Sequence, residues 1–151
     1  MKPEENLKKF GINLPNAPDP VGSYVASKIV GDFIYISGQV SFNTDGNLIK
    51  GKVGKELNLE QGQEAAKFCA LNILAQLKKK CGTLDKVKGC VKLTGYVNST
   101  DSFKDQPKII NGASDLISNI FGDEGKHARA AISVNSLPLG AAVEIDGIFE
   151  L

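Results

Sequence analysis

A chain of 151 residues, with 42% hydrophobic and 23% charged residues, no Trp and a formal net charge of +1, has the balance of one globular domain and not of a disordered or fibrous chain. At this length about 68–70% of the unfolded chain's surface can be buried, so a core forms without disulfide or metal staples. The near-neutral charge gives no electrostatic case for nucleic acids or anionic membranes, which usually demand a concentrated basic face.

The chain reads as a single domain, residues 1–151, in which 1–20 form an N-terminal extension. The opening stretch MKPEENLKKFGINLP has no apolar signal core, and no run approaches the roughly 18 apolar residues of a membrane span, so the expected address is cytoplasmic with no membrane partner. The proline-rich segment LPNAPDPVG (14–22) separates a short N-terminal helix from the body. Two β-rich runs, YVASKIV and DFIYISGQV, follow and are split by Gly31–Asp32, the pattern of a hairpin; NTDGN (43–47) marks another turn.

From Asn58 the period changes. Asn58 caps a helix with Gln61 at the capping-box position, and Ala66, Ala70, Ile73, Leu74 and Leu77 recur at helical spacing. Lys78–Lys80 complement the helix C-terminus and Gly82 closes it. The segment KVKGCVKLTGYVN alternates as a strand, with Val87, Val91, Leu93 and Val97 on one face and Cys90, Thr94 and Tyr96 on the other. A second helix starts near Pro107, carries its apolar stripe from Ile109 to Phe121 and ends at Gly122. Two final strands, HARAAISV and AVEIDGIFE, flank the turn NSLPLG.

This order predicts an α+β fold with one sheet and two helices on one of its faces. Ala130, Ile132 and Val134 are expected under the helices with Val143, Ile145 and Phe149, which sends Arg129 and Glu144 together to the opposite face. A half-apolar sheet face left open in one protomer calls for other subunits to cover it.

Cys69, Cys81 and Cys90 are odd in number, with no C-x-x-C pair and a single histidine in the chain, so neither a disulfide framework nor a metal site is expected. Among 18 Lys and Arg residues only Arg129 is an arginine, two positions after the only histidine, His127. A planar fork is required where two parallel hydrogen bonds must reach a carboxylate or phosphate, and small neighbours leave it room. A small acidic ligand is one reading; a salt bridge from Arg129 to Glu144 or Asp146 that only holds the sheet together is the other. His127, without a paired acid or nucleophile, reads as a surface or interface residue. Glu144 can orient or deprotonate a water, or serve as the arginine's structural partner. Gly38 permits close approach of a ligand, or forms a β-bulge.

YVASKIVGDFIYISGQV, VKLTGYV, IINGASDLISNIFG and HARAAISVNSLPLGAAVEIDGIFEL together resemble the YjgF/RidA family of reactive enamine/imine deaminases, from about Tyr24 onward. The most specific part is R-x-x-x-V-x-x-L-P-x-x-x-x-V-E-I, read here as Arg129, Ser133–Val134, Leu137–Pro138 and Val143–Glu144–Ile145 with one shift in the branched residue. The extension and the NGASDL helix look like a longer subgroup.

The resemblance implies a chorismate-mutase-like fold, a homotrimer with ligand clefts between subunits, no cofactor, and hydrolysis of a 2-imino acid to a 2-oxo acid and ammonia. It makes Arg129 the carboxylate clamp and Glu144 the residue that positions water. Ala131 offers a backbone carbonyl, and Tyr24, Ser37 and Gly38 line the cleft. Ala131 stands where many members have cysteine, and in this resemblance Pro107 takes the place of an asparagine at the start of the second helix. The competing functions are a trimer that binds a small carboxylate without turnover and, less favoured by the charge pattern, an endoribonuclease.

Overall fold

Ser27–Val30 (β1) and Phe33–Val40 (β2) pair antiparallel as the expected hairpin, turned at Gly31, whose φ of +59° suits a residue without a Cβ. In the computed structural model, which describes residues 1–151, they are preceded by α1 (Pro3–Lys9). They are followed by α2 (Leu59–Cys81), β3 (Gly89–Asn98), α3 (Gln106–Phe121), β4 (Ala128–Val134) and β5 (Val143–Glu150). Asn58 and Gln61 form the reciprocal capping box at the start of α2, and Gly82 ends it with φ +84°.

The five strands form one mixed sheet in the order β1-β2-β5-β3-β4. Only β3 and β4 run parallel, with α3 as the crossover that parallel neighbours require. Helices α2 and α3 cover one face. Ile73, Leu74 and Leu77 of α2 and Ile109, Ile117 and Ile120 of α3 meet Ile34, Leu93, Ile145 and Phe149 of the sheet in a single fully buried core.

Two sequence expectations about strand faces need correcting. In β3 the ladder to β5 shifts between Cys90 and Lys92, so Cys90 is buried and Val91 exposed, the reverse of uninterrupted alternation. In β4 the helix-facing set is Arg129 and Ala131, and Ile132 stands out on the other face, 46% exposed. The cause is that both faces of this sheet carry apolar residues. Register puts Val30, Phe33, Tyr35, Tyr96 and Ile132 on the face without helices, so a period of two could not tell β4 which side was core.

Polar contacts pin the N-terminal segment to the body, the buried Asn6 amide donating to the Ile120 carbonyl at 2.8 Å. In α1, the Glu4 carboxylate accepts from the Leu84 backbone N–H at 2.9 Å and from Lys78 Nζ at 2.9 Å. Farther on, the buried Gln76 amide donates to the Pro18 carbonyl at 2.6 Å and fixes the proline-rich strap along α2. No helix is long and apolar enough to cross a membrane.

Candidate functional site

The β2–β5 ladder slips between Ile36 and Gln39, which leaves Ser37 and Gly38 in a bulge beside Glu144. Bulge and close approach, which the sequence left as alternatives, are the same feature here: a Cβ at residue 38 would overlap the Glu144 carboxylate. Ser37 Oγ donates to the Val25 carbonyl at 2.6 Å and ties the bulge to the chain entering β1.

Glu144 lines a cleft of about 520 Å³ whose walls include Pro18, Pro20, Val21, Tyr24, Gly38, Phe42 and Leu139. Three of the residues expected at the site, Tyr24, Gly38 and Glu144, therefore share one cavity, and Ser37 adjoins it. The strap and Leu139 were not anticipated. Leu139 is the only non-glycine residue with positive φ, at 61°, and it stands at the cleft 72% exposed. A strained turn of that kind costs on the order of 1 kcal/mol or more and collects at functional sites.

Burial raises the Glu144 carboxyl above its ordinary range, and the charge of Asp146 adds to the rise. Asp146 shares the helix-free face of β5 with Glu144 and is itself raised, first by burial, although a hydrogen bond from Tyr96 and the charge of Lys92 oppose the rise. Tyr96 Oη donates to Asp146 Oδ2 at 3.3 Å. No cation pairs with either carboxylate within 4.0 Å.

Arg129 lies elsewhere. Its strand is a sheet edge, and its side chain turns toward α3: Nη1 donates to Asn111 Oδ1 at 2.8 Å and to Ser114 Oγ at 3.1 Å, and Nη2 to the Pro107 carbonyl at 3.4 Å. The salt bridge to Glu144 or Asp146 is absent, and so is the shared face: Arg129 pairs in register with the buried Leu93, whereas Glu144 pairs with Tyr96 on the other side. The guanidinium thus has three neutral acceptors and no anion, and it lines none of the four main clefts of the protomer. Ala131 follows on the same side of the same edge strand.

The second helix does bring an asparagine to the arginine. It is Asn111, one turn beyond Pro107 and outside the first helical positions, where the resemblance places the family's asparagine. The spacing of Pro107, Asn111 and Ser114 at helical intervals was the available signal. His127 is half-buried and bonded to Ser114, not a free surface residue.

Residues 4–150 match the family described as "YjgF/chorismate_mutase-like, putative endoribonuclease". The chain is 46% identical to Protein TCP17 of Trypanosoma cruzi over 97% of this chain and 92% of that protein. It is 29% identical to a 2-iminobutanoate/2-iminopropanoate deaminase of Rattus norvegicus, over 91% of this chain and 86% of that one. Among solved structures it superposes on the Agrobacterium tumefaciens protein Atu1372, of unknown function, with TM-score 0.89 and 42% identity, covering 99% of this chain and 92% of that one.

Proposed function

Because the chain belongs to the YjgF/RidA family, we propose that it is a hydrolytic deaminase of reactive 2-imino acids and their enamine tautomers, acting as a homotrimer whose sites lie between protomers. The observation that carries the reading is the division of the chemistry. One edge of the protomer presents a guanidinium with no anion beside it, and a separate cleft presents a partly buried carboxylate with no cation beside it. Burying both uncompensated would be costly; when a second protomer closes the cleft, a ligand carboxylate pairs with the guanidinium, and a water poised at the ligand's electrophilic carbon donates to the Glu144 carboxylate.

Arg129 uses three of the five N–H donors of a guanidinium on Pro107, Asn111 and Ser114, which leaves two for the substrate carboxylate. Glu144, supplied by the neighbouring protomer, accepts a proton from water as the oxygen adds to the imine carbon. That proton passes to nitrogen to give a carbinolamine, whose hydroxyl hydrogen then moves to nitrogen as well; the C–N bond breaks, ammonia leaves and the carbonyl forms. The net reaction is imine plus water to 2-oxo acid plus ammonia, with no change of oxidation state. The Ala131 carbonyl accepts the second hydrogen of the water, and Tyr24, Ser37 and Gly38 shape the cleft around the imine. The apolar walls at Pro20, Val21, Phe42 and Leu139 suit an apolar substrate side chain.

The imine carbon is already electrophilic, so orienting substrate and water is most of what the protein must supply. The relative that carries a deaminase name supports this reading.

The test couples an amino-acid dehydratase, which releases the imine, to detection of the 2-oxo acid. Faster release with wild type, lost in Arg129→Ala and in Glu144→Gln, is the expected result. An unchanged rate with retained 2-oxo acid binding would make the protein a carboxylate-binding trimer without turnover.

A further inference from the structure

The chain's one histidine and one arginine meet through Ser114. His127 Nδ1 lies 2.6 Å from the Gly125 carbonyl oxygen, which can only accept, so Nδ1 carries the proton and Nε2 of the neutral ring is left as an acceptor. Ser114 Oγ lies 2.9 Å from that Nε2 and donates its hydrogen to it. The lone pairs of the hydroxyl then face Arg129, whose Nη1 donates to it at 3.1 Å. One backbone carbonyl thereby sets the direction of every proton in the series Arg129 to Ser114 to His127 to Gly125.

We infer that His127 is a positioning residue: by orienting the Ser114 hydroxyl it holds the Arg129 guanidinium in the pose that leaves two N–H groups for a ligand carboxylate. The inference rests on the role proposed above for Arg129. Asn111 takes the other Nη1 hydrogen, so Ser114 and Asn111 together fix the guanidinium plane. Without His127 the Ser114 hydrogen is free to rotate toward Arg129, where donor would meet donor. A lysine at 129 has no plane to hold, which gives a reason for the chain's single departure from lysine.

A single histidine and a single arginine each give one unambiguous set of nitrogen signals by NMR in the full-length protein. In the wild type at mildly alkaline pH, the His127 ring is expected with its proton on Nδ1 and the Arg129 Nε–H as one sharp signal. His127→Leu and Ser114→Ala broaden or move the Arg129 signal. They also raise KM for the imine, and Kd for 2-oxobutanoate, about tenfold, with kcat within about twofold. His127→Gln, whose amide oxygen reaches the place of Nε2, restores both.

A proton found on Nε2 overturns the inference, as does a His127→Leu protein that keeps the wild-type Arg129 signal and KM. If the wild type neither hydrolyses imines nor binds 2-oxobutanoate, the deaminase reading fails, and the Arg129 signal still decides the role of His127 on its own.

Discussion

Arg129 and Glu144 stand on opposite faces of one sheet, with β3 between their strands. A protomer therefore cannot bring both side chains to one small ligand.

The grip of Arg129 depends on its fork, not only on its charge. Arg129→Lys keeps the cation but gives up the plane that meets Asn111 and Ser114 on one side and a carboxylate on the other. Loss of a charge-assisted pair of hydrogen bonds is worth about 1.5–3 kcal/mol, so kcat/KM is expected to fall roughly 10- to 100-fold, mostly through KM. Steady-state kinetics on the dehydratase-generated imine check this. A lysine variant with wild-type KM would show that charge alone suffices.

The acid limb of the rate profile belongs to Glu144, which must be ionised to take the water's proton. Its pKa is raised by burial and by the Asp146 charge, so activity is lost as pH falls through that raised value. Asp146→Asn removes the like charge, lowers the Glu144 pKa and moves the acid limb of kcat/KM to lower pH. Asp146 is also raised in the folded protein, first by burial, so where it is ionised it costs stability. The amide variant is then expected to melt no lower than wild type at neutral pH. A limb that stays in place, or moves up, contradicts the assignment.

Gly38→Ala separates site geometry from folding. The added methyl group meets the Glu144 carboxylate, the movable end of a side chain, and φ at 38 is not in the positive region. Displacing a catalytic group by about 1 Å costs on the order of 10²-fold in rate, whereas relieving the overlap by a side-chain shift costs little stability. The expected protein has a near-wild-type Tm and strongly reduced kcat. A variant that keeps its kcat would remove Glu144 from the mechanism.

The helix-free face, with Phe33, Tyr35 and Ile132 exposed, is the surface on which protomers assemble in this account. Ile132→Glu places a charge there without touching the buried core. Light scattering is expected to show a monomer with a wild-type circular-dichroism spectrum and without deaminase activity. A trimer of undiminished size would move the interface elsewhere.

What could be read in the sequence divides along physical lines. The α2 capping box, the α3 stripe and the β1–β2 hairpin depend on local spacing, and each stands where the pattern put it. Tyr24, Gly38 and Glu144, which the family resemblance named, line one cleft. The face of Arg129 was not legible, because in β4 the small and apolar residues of both sets give the period no contrast, and the outward set serves another surface. Asn111, Ser114 and the Pro18–Val21 strap escaped because their roles come from long-range contacts. The nearest of these spans 13 residues, from Ser114 to His127, and the strap is held from α2 by Gln76.

The most direct measurement of the shared site is subunit complementation. Arg129→Ala and Glu144→Gln protomers, each inactive alone, are co-expressed in equal amounts and assayed as mixed trimers. If Arg129 comes from one protomer and Glu144 from its neighbour, about a quarter of the sites in randomly assembled trimers are intact, and activity returns to about a quarter of wild type. Mixed trimers that remain as inactive as either parent would contradict a site built across two protomers.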